Sequence, residues 1–211
     1  MNLSNPQNPV PRAVITCILG LTAWWFVLKP ASLYILFLIS YLPLDILIGP
    51  ADLRAVNINS QSGQWLFNVA LNIDAKDPDT GKMQHASSME VGATPDEVAF
   101  FVSGWVVFLA LSFAVGGFSR KKWLATLKGF SAQLGVSVLA LAAYAYVNAF
   151  GSVYADLGTR PGAVWFLKWV YHVDYLVVPF FAPFLIALIV HPEWRAYFLP
   201  GMPQTAASPK R

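Results

Sequence analysis

Apolar side chains along this chain gather in long blocks parted by short polar stretches, and in one interval the pattern changes to strict alternation. The first block, residues 13–29, reads AVITCILGLTAWWFVLK. At about 1.5 Å of rise per residue it is just long enough to cross a hydrocarbon layer. It ends in Trp24, Trp25 and Lys29, an interfacial anchor, and lacks the small-residue site at which a signal peptide is cut. The block is therefore expected to be retained as transmembrane helix 1. The next apolar run, ASLYILFLISYLPLDILIG, carries Pro43 and Asp45. The Lys29-Pro30 dipeptide is too short for a hairpin between two spans. Residues 30–50 are accordingly read as an interfacial or kinked helix, with Tyr34, Tyr41 and Asp45 on one face. A true second span here would change the side of the N-terminal tail and nothing after residue 51.

Residues 51–94 behave differently. Trp65, Phe67, Val69, Leu71 and Ile73 alternate with Leu66, Asn68, Ala70, Asn72 and Asp74, a period of two with β-forming side chains on one face. Val56 and Ile58 alternate with Asn57 and Asn59 before it. Ser60–Gln64 and Asp77–Gly81 supply turns, and 83–91 returns as a third strand. The expectation is a three-stranded antiparallel meander, small enough to need the 31–49 segment or a partner against its apolar face. Thr94-Pro95-Asp96-Glu97 then starts a helix, with Thr as N-cap, Pro in the first turn and two acids behind it. Transmembrane helices follow at 95–118, 124–150 and 163–190, the last bent by Pro179 and Pro183. They are joined by loops at 119–123 and 151–162 and followed by a tail, 191–211. The predicted fold class is an α-helical integral membrane protein of about four transmembrane helices, with a small antiparallel β-rich extracytoplasmic domain at 51–94.

Composition agrees: 56% of residues are hydrophobic and only 12% charged, about half the charged share of a soluble domain. The net charge is just +3, but its placement is informative. Arg120, Lys121, Lys122 and Lys128 cluster around one short loop, and short-loop bases stay in the cytoplasm. Residues 51–94 and 151–162 are then expected to lie outside, and the tails 1–12 and 191–211 inside. No basic stripe interleaved with aromatics suggests nucleic acid as a partner.

Candidate chemistry falls at the outer ends of the third and fourth spans. Gln133, Ser137, Tyr144 and Asn148 recur at helical spacing, a pattern that serves helix packing or a polar path. Tyr154 and Asp156 follow in the loop, and His172 and Asp174 lie one to two turns into the last span. An ionisable side chain at membrane depth costs roughly 2.5–3.5 kcal/mol on insertion scales, so it either sits hydrated near the interface or has a function. The candidate polar or partner site is Tyr154, Asp156, His172, Asp174 and Asn148, with Asp45 as a further member. Catalysis finds little footing. Cys17 is the single cysteine, and it lies roughly 18 Å of helix rise from the outer end of its span, away from His85 and His172. His191, on the inner side, is the remaining histidine. No metal-ligand spacing, nucleophile elbow or phosphate loop occurs, so no catalytic residue, metal or cofactor is expected.

The order of one span with a Trp-rich exit (WWFVLKP), an outer strand domain and three further spans, with AYVNAFGSVYADL ending the third and WVYHVDYLVVPFFAPFLIALIVHPEWR forming the fourth, resembles the exosortase H-associated membrane proteins. The resemblance implies an accessory protein working beside an exosortase, a membrane transpeptidase that processes exported proteins bearing a C-terminal sorting signal. It implies membrane lipid and an exosortase-like membrane protein, or its substrate, as partners. Exosortases use an outward Cys, Arg and His, and no outward Cys occurs here. The expected function is thus a non-enzymatic accessory. The alternative is a small membrane enzyme or solute-transporter subunit built on the polar outer ends of helices 3 and 4.

Overall fold

The computed structural model describes residues 9–76, 81–115, 119–157 and 161–199. Four of its helical runs are long and apolar enough to cross a membrane: Pro9–Leu47, Pro95–Ala114, Arg120–Val153 and Trp165–Val190.

The first run is a single rod of 39 residues, about 58 Å long by helix rise against a hydrocarbon core of about 30 Å. It consists of α1 (Pro9–Ala23), a π-helical turn (Trp24–Leu28) and α2 (Lys29–Leu47). Lys29-Pro30 does not break it. Proline removes one N–H and crowds the carbonyl four residues back. The wide turn absorbs both effects, because the Lys29 N–H reaches Trp24 O instead of the usual fourth carbonyl. The buried Trp24 indole donates to Ser32 Oγ at 2.8 Å, and that hydroxyl donates to Lys29 O at 2.8 Å, which pins the joint.

The alternating interval forms one antiparallel sheet, ordered β1 (Val56–Ile58), β2 (Trp65–Lys76), β3 (Met83–Ala93). Trp65, Phe67, Val69 and Leu71 are buried, as the period-two pattern predicts. Each large side chain so buried contributes about 1.5–3 kcal/mol. The pairing of β2 with β3 slips between Ala70 and Ile73, and Asn72 there takes φ 51, the left-handed region that Asn tolerates better than most side chains. The sheet is stitched to the helices. Ala70 N–H donates to Ile48 O, Ala55 N–H to Asp45 Oδ1, and the Tyr146 hydroxyl to Leu47 O, all within 2.9 Å. Phe37 of α2 meets Trp65 edge-on at 5.7 Å. Sheet and helices thus share one core, and the 31–49 segment supplies part of its floor.

Helix α3 (Pro95–Ala114) begins with a full capping box. Glu97 Oε2 accepts the Thr94 N–H at 2.7 Å while Thr94 Oγ1 accepts the Glu97 N–H at 3.3 Å, a cap of about 1 kcal/mol. It is the most enclosed of the four long helices. α4 (Arg120–Leu157) is longer at both ends than the residue pattern predicts. Arg120–Lys122, expected in a loop, form its first turn. Residues 151–157, also expected as loop, continue it, since an isolated Gly151 costs about 1 kcal/mol in a helix and does not stop one. Residues 116–118, expected as the end of the 95–118 span, and 158–160, expected within the 151–162 loop, lie outside the described residues.

The last run repeats the design of the first. α5 (Pro161–His172) passes through a π turn (Val173–Val177) into α6 (Val178–Val190), with Pro179 two residues beyond the turn as Pro30 is beyond the other. A short α7 (Pro192–Phe198) then folds back within the stretch read from the sequence as a tail. Trp194 Nε1 donates to Leu111 O at 3.0 Å, His191 Nε2 meets Ser112 Oγ at 3.0 Å, and Lys122 pairs with Glu193 at 3.0 Å. At the bundle centre α3, α4 and α6 approach closely. A Cβ on Gly104 would lie 2.7 Å from both Gln133 Nε2 and Pro179 O.

Candidate functional site

The polar stripe of α4 divides by depth. Gln133 is fully buried beside Gly104. Ser137 Oγ donates to Phe101 O at 2.8 Å and accepts the Trp105 indole N–H at 2.9 Å. Tyr144 packs on Phe67, Phe101, Tyr171 and Tyr175. These members are packing groups. Asn148, one turn further, opens onto a cleft.

That cleft lies between α4 and α5, at the end of the bundle that carries the sheet. Val147, Asn148, Gly151 and Ser152 form one wall; Leu167, Lys168, Tyr171 and His172 form the other. Both walls have the same spacing, i, i+1, i+4, i+5, which is one helical face opposed to another. The volume is about 510 Å³, within the range of small-molecule sites. Apolar Val147 and Leu167 line it beside neutral donors and acceptors and one full positive charge. Asn148 Nδ2 donates to Tyr144 O at 2.8 Å, which leaves Oδ1 unclaimed within the helix. His172 Nδ1 lies 2.6 Å from Lys168 O. A carbonyl only accepts, so Nδ1 carries the hydrogen and Nε2 is the nitrogen left for a ligand. Tyr171 links the cleft to the core, stacked nearly parallel on Tyr175 at 5.6 Å.

The structure therefore brings together two of the six predicted site residues, Asn148 and His172. Tyr154 and Asp156 belong to the last turns of α4, and their side chains lie outside the described residues. Asp45 is a tether: its Oδ1 accepts the Ala55 N–H and fixes the entry of the sheet against α2. Asp174 does not line the cleft. It is buried in the second π turn, and its Oδ2 has no hydrogen-bond partner among the described residues. Ser152 and Gly151 went unnoticed in the sequence, although their spacing from Val147 and Asn148 is the signal that places them. Cys17 is a free thiol without a hydrogen-bond partner among the described residues, and the Nε2 of His191 is engaged by Ser112. Among the described residues no three of His, Cys, Asp and Glu assemble as a ligand set for a metal ion.

At the opposite end of the bundle, the latch made by α7 holds two shifted groups. Burial lowers the His191 imidazole below its ordinary 6.5, with Lys122 reinforcing the effect and Glu193 opposing it. Burial would raise the Glu193 carboxyl, but its backbone hydrogen bond and Lys122 outweigh this and leave it below 4.5.

No family model, no curated protein and no solved structure matches this chain.

Proposed function

We propose that the protein is a non-enzymatic accessory of the bacterial inner membrane that binds an extended segment of a partner beside an exosortase-type transpeptidase. The segment is the C-terminal sorting region of an exported protein or a loop of the transpeptidase. One observation carries the binding reading. Among the described residues β3 pairs only with β2, so its 11 residues present an edge without a strand neighbour there. Soluble proteins protect such edges with Lys, Pro or a bulge. Met83–Ala93 contains no Lys, Arg or Pro, and the bulge of this sheet is in β2. An edge with Glu90 as its one carboxylate, anchored on a helical bundle, suits strand addition, in which main-chain hydrogen bonds give affinity and alternate side chains give selectivity. The likeness of WWFVLKP and of the third and fourth spans to exosortase H-associated proteins supports the choice of partner. The bases at Arg120–Lys122 support an inside position for that end, with both termini cytoplasmic and the sheet periplasmic.

The test is recovery of partners from intact membranes. Tagged full-length chain, solubilised from a bacterium that carries an exosortase, is expected to retain the enzyme or its sorted substrate. Ser87→Lys, an exposed change on β3, is expected to lower recovery about tenfold. Recovery unaffected by Ser87→Lys removes the edge from the mechanism. Absence of both partners from the wild-type eluate ends the accessory reading.

A second reading, a membrane enzyme or transporter subunit, is favoured by Asp174, a buried carboxylate within a span whose Oδ2 has no partner among the described residues. Its test is Asp174→Asn. Loss of cellular function with partner recovery unchanged would support this reading over the first.

A further inference from the structure

We propose that the cleft between α4 and α5 binds the phosphate of an anionic phospholipid, with the acyl chains lying along its apolar walls. The inference rests on reading the four long helices as membrane spans and is independent of the partner reading.

Depth is the first argument. Trp165, Phe166 and Trp169 are all exposed on α5, at the start of the last long apolar run. Indole rings collect at the headgroup level of a bilayer. Lys168 lies three residues inside Trp165, about 4.5 Å of helix rise, and His172 about 10 Å. The cleft mouth is thereby set where lipid phosphates and the upper acyl chains lie.

Charge is the second. Lys168 supplies a fixed positive charge, and no carboxylate is among the described lining residues. His172 turns Nε2 toward the opening, because Nδ1 is spent on Lys168 O. The Ser152 hydroxyl and the second Asn148 amide hydrogen complete a donor set on the facing wall. Donors of this kind on both sides of one opening fit the several oxygens of a phosphate better than a single-point anion.

Shape is the third. Val147, Leu167 and the Tyr171 ring give the cleft an apolar side, and Gly151 leaves it open, since a Cβ there would meet nothing within 4 Å. A soluble phosphate has no use for such a wall; a phospholipid fills both parts.

The experiment is native mass spectrometry of the full-length, delipidated protein in detergent, with phosphatidylglycerol, phosphatidylcholine or glycerol phosphate added at equal concentration. Phosphatidylglycerol is expected to remain bound and phosphatidylcholine to be retained less. Lys168→Gln with His172→Gln is expected to lower phosphatidylglycerol retention by about tenfold or more. Both side chains are exposed, so folding is expected to survive, and Lys168→Arg is expected to preserve binding. A matched removal of charge elsewhere, Lys121→Gln with His85→Gln, is expected to leave retention unchanged. Three results would overturn the proposal: equal retention by wild type and the cleft variant, equal loss in the matched control, or displacement of the lipid by glycerol phosphate at equal concentration. The last would make the ligand a soluble phosphate.

Discussion

Gly104 offers a test of how the bundle is held together, because its substitution sets two known effects against each other. Replacing glycine by alanine inside a helix gains about 1 kcal/mol from the restricted unfolded chain and better propensity. At Gly104 the new methyl would stand 2.7 Å from Gln133 Nε2 and 2.7 Å from Pro179 O, where ordinary contact is 3.4–4 Å. The carbonyl is backbone in the first turn of α6 and cannot rotate aside, and Gln133 is only 1% exposed. Relief requires α6 to move, and overpacking of this kind costs about 1–3 kcal/mol. Gly135, on the same α4 that presents Gln133, has nothing within 4 Å of its would-be Cβ and serves as the control. Gly104→Ala should therefore be less stable than Gly135→Ala by about 1–3 kcal/mol. At about 2–4 °C per kcal/mol for a chain of this size, the two unfolding midpoints should differ by about 2–12 °C. Tryptophan fluorescence during heating of the purified proteins in one detergent reads the difference directly. Equal midpoints, or a higher one for Gly104→Ala, would refute the claim that close helix approach at Gly104 organises the bundle.

Two further outcomes follow from the polar contacts. Ser137→Ala leaves the Trp105 indole N–H buried without an acceptor and should cost about 1–3 kcal/mol. Adding Trp105→Phe should recover part of that loss in a double-mutant cycle, and an additive result would show that the hydroxyl and indole are not coupled. The α7 latch should weaken on acidification. His191 has its folded pKa depressed below 6.5, so its contribution is complete above that value and declines as the unfolded chain takes up a proton that the native site refuses. Glu193, depressed below 4.5, adds a second loss in the same direction at lower pH. The midpoint of thermal unfolding should fall between about pH 7 and pH 5.5, and His191→Gln should flatten that slope. An undiminished slope in the variant would place the titrating group elsewhere.

The strand alternation from Trp65 and the Thr94-Pro95-Asp96-Glu97 helix start were legible because both depend on neighbours in the chain. So was the packing of the sheet against 31–49, which a sheet this small requires. The course of Pro9–Leu47 was less legible. A Lys-Pro pair reads as an interruption because proline is costly inside a regular helix, but the cost vanishes once the preceding turn widens, and no local residue pattern announces that widening. The α7 latch was illegible for another reason: its partners Leu111 and Ser112 lie about eighty residues away in sequence. At the site, Asn148 and His172 were found through polarity in an apolar context. Asp45 was picked out by the same criterion and proved structural, because its partner is a backbone N–H, which every residue type but proline carries and no pattern reveals. Ser152 escapes notice because Gly151 reads as the start of a loop, which takes Ser152 off the helical face that it shares with Asn148.

The two π turns also correct the winding of the helices that contain them. A regular α-helix advances about 100° per residue, so Trp24 and Leu36 would point about 120° apart on a uniform screw, yet both are buried. Each wide turn takes up one surplus residue. With that residue removed from the count, the same two side chains come within about 20° of each other. Tyr171 and Pro179 close from about 80° to about 20° by the same correction. In each rod, stretches that a helical wheel scores as two different faces are one continuous thread. The two halves of each rod meet their neighbours in step because the chain is one residue longer at the joint than a regular helix would need.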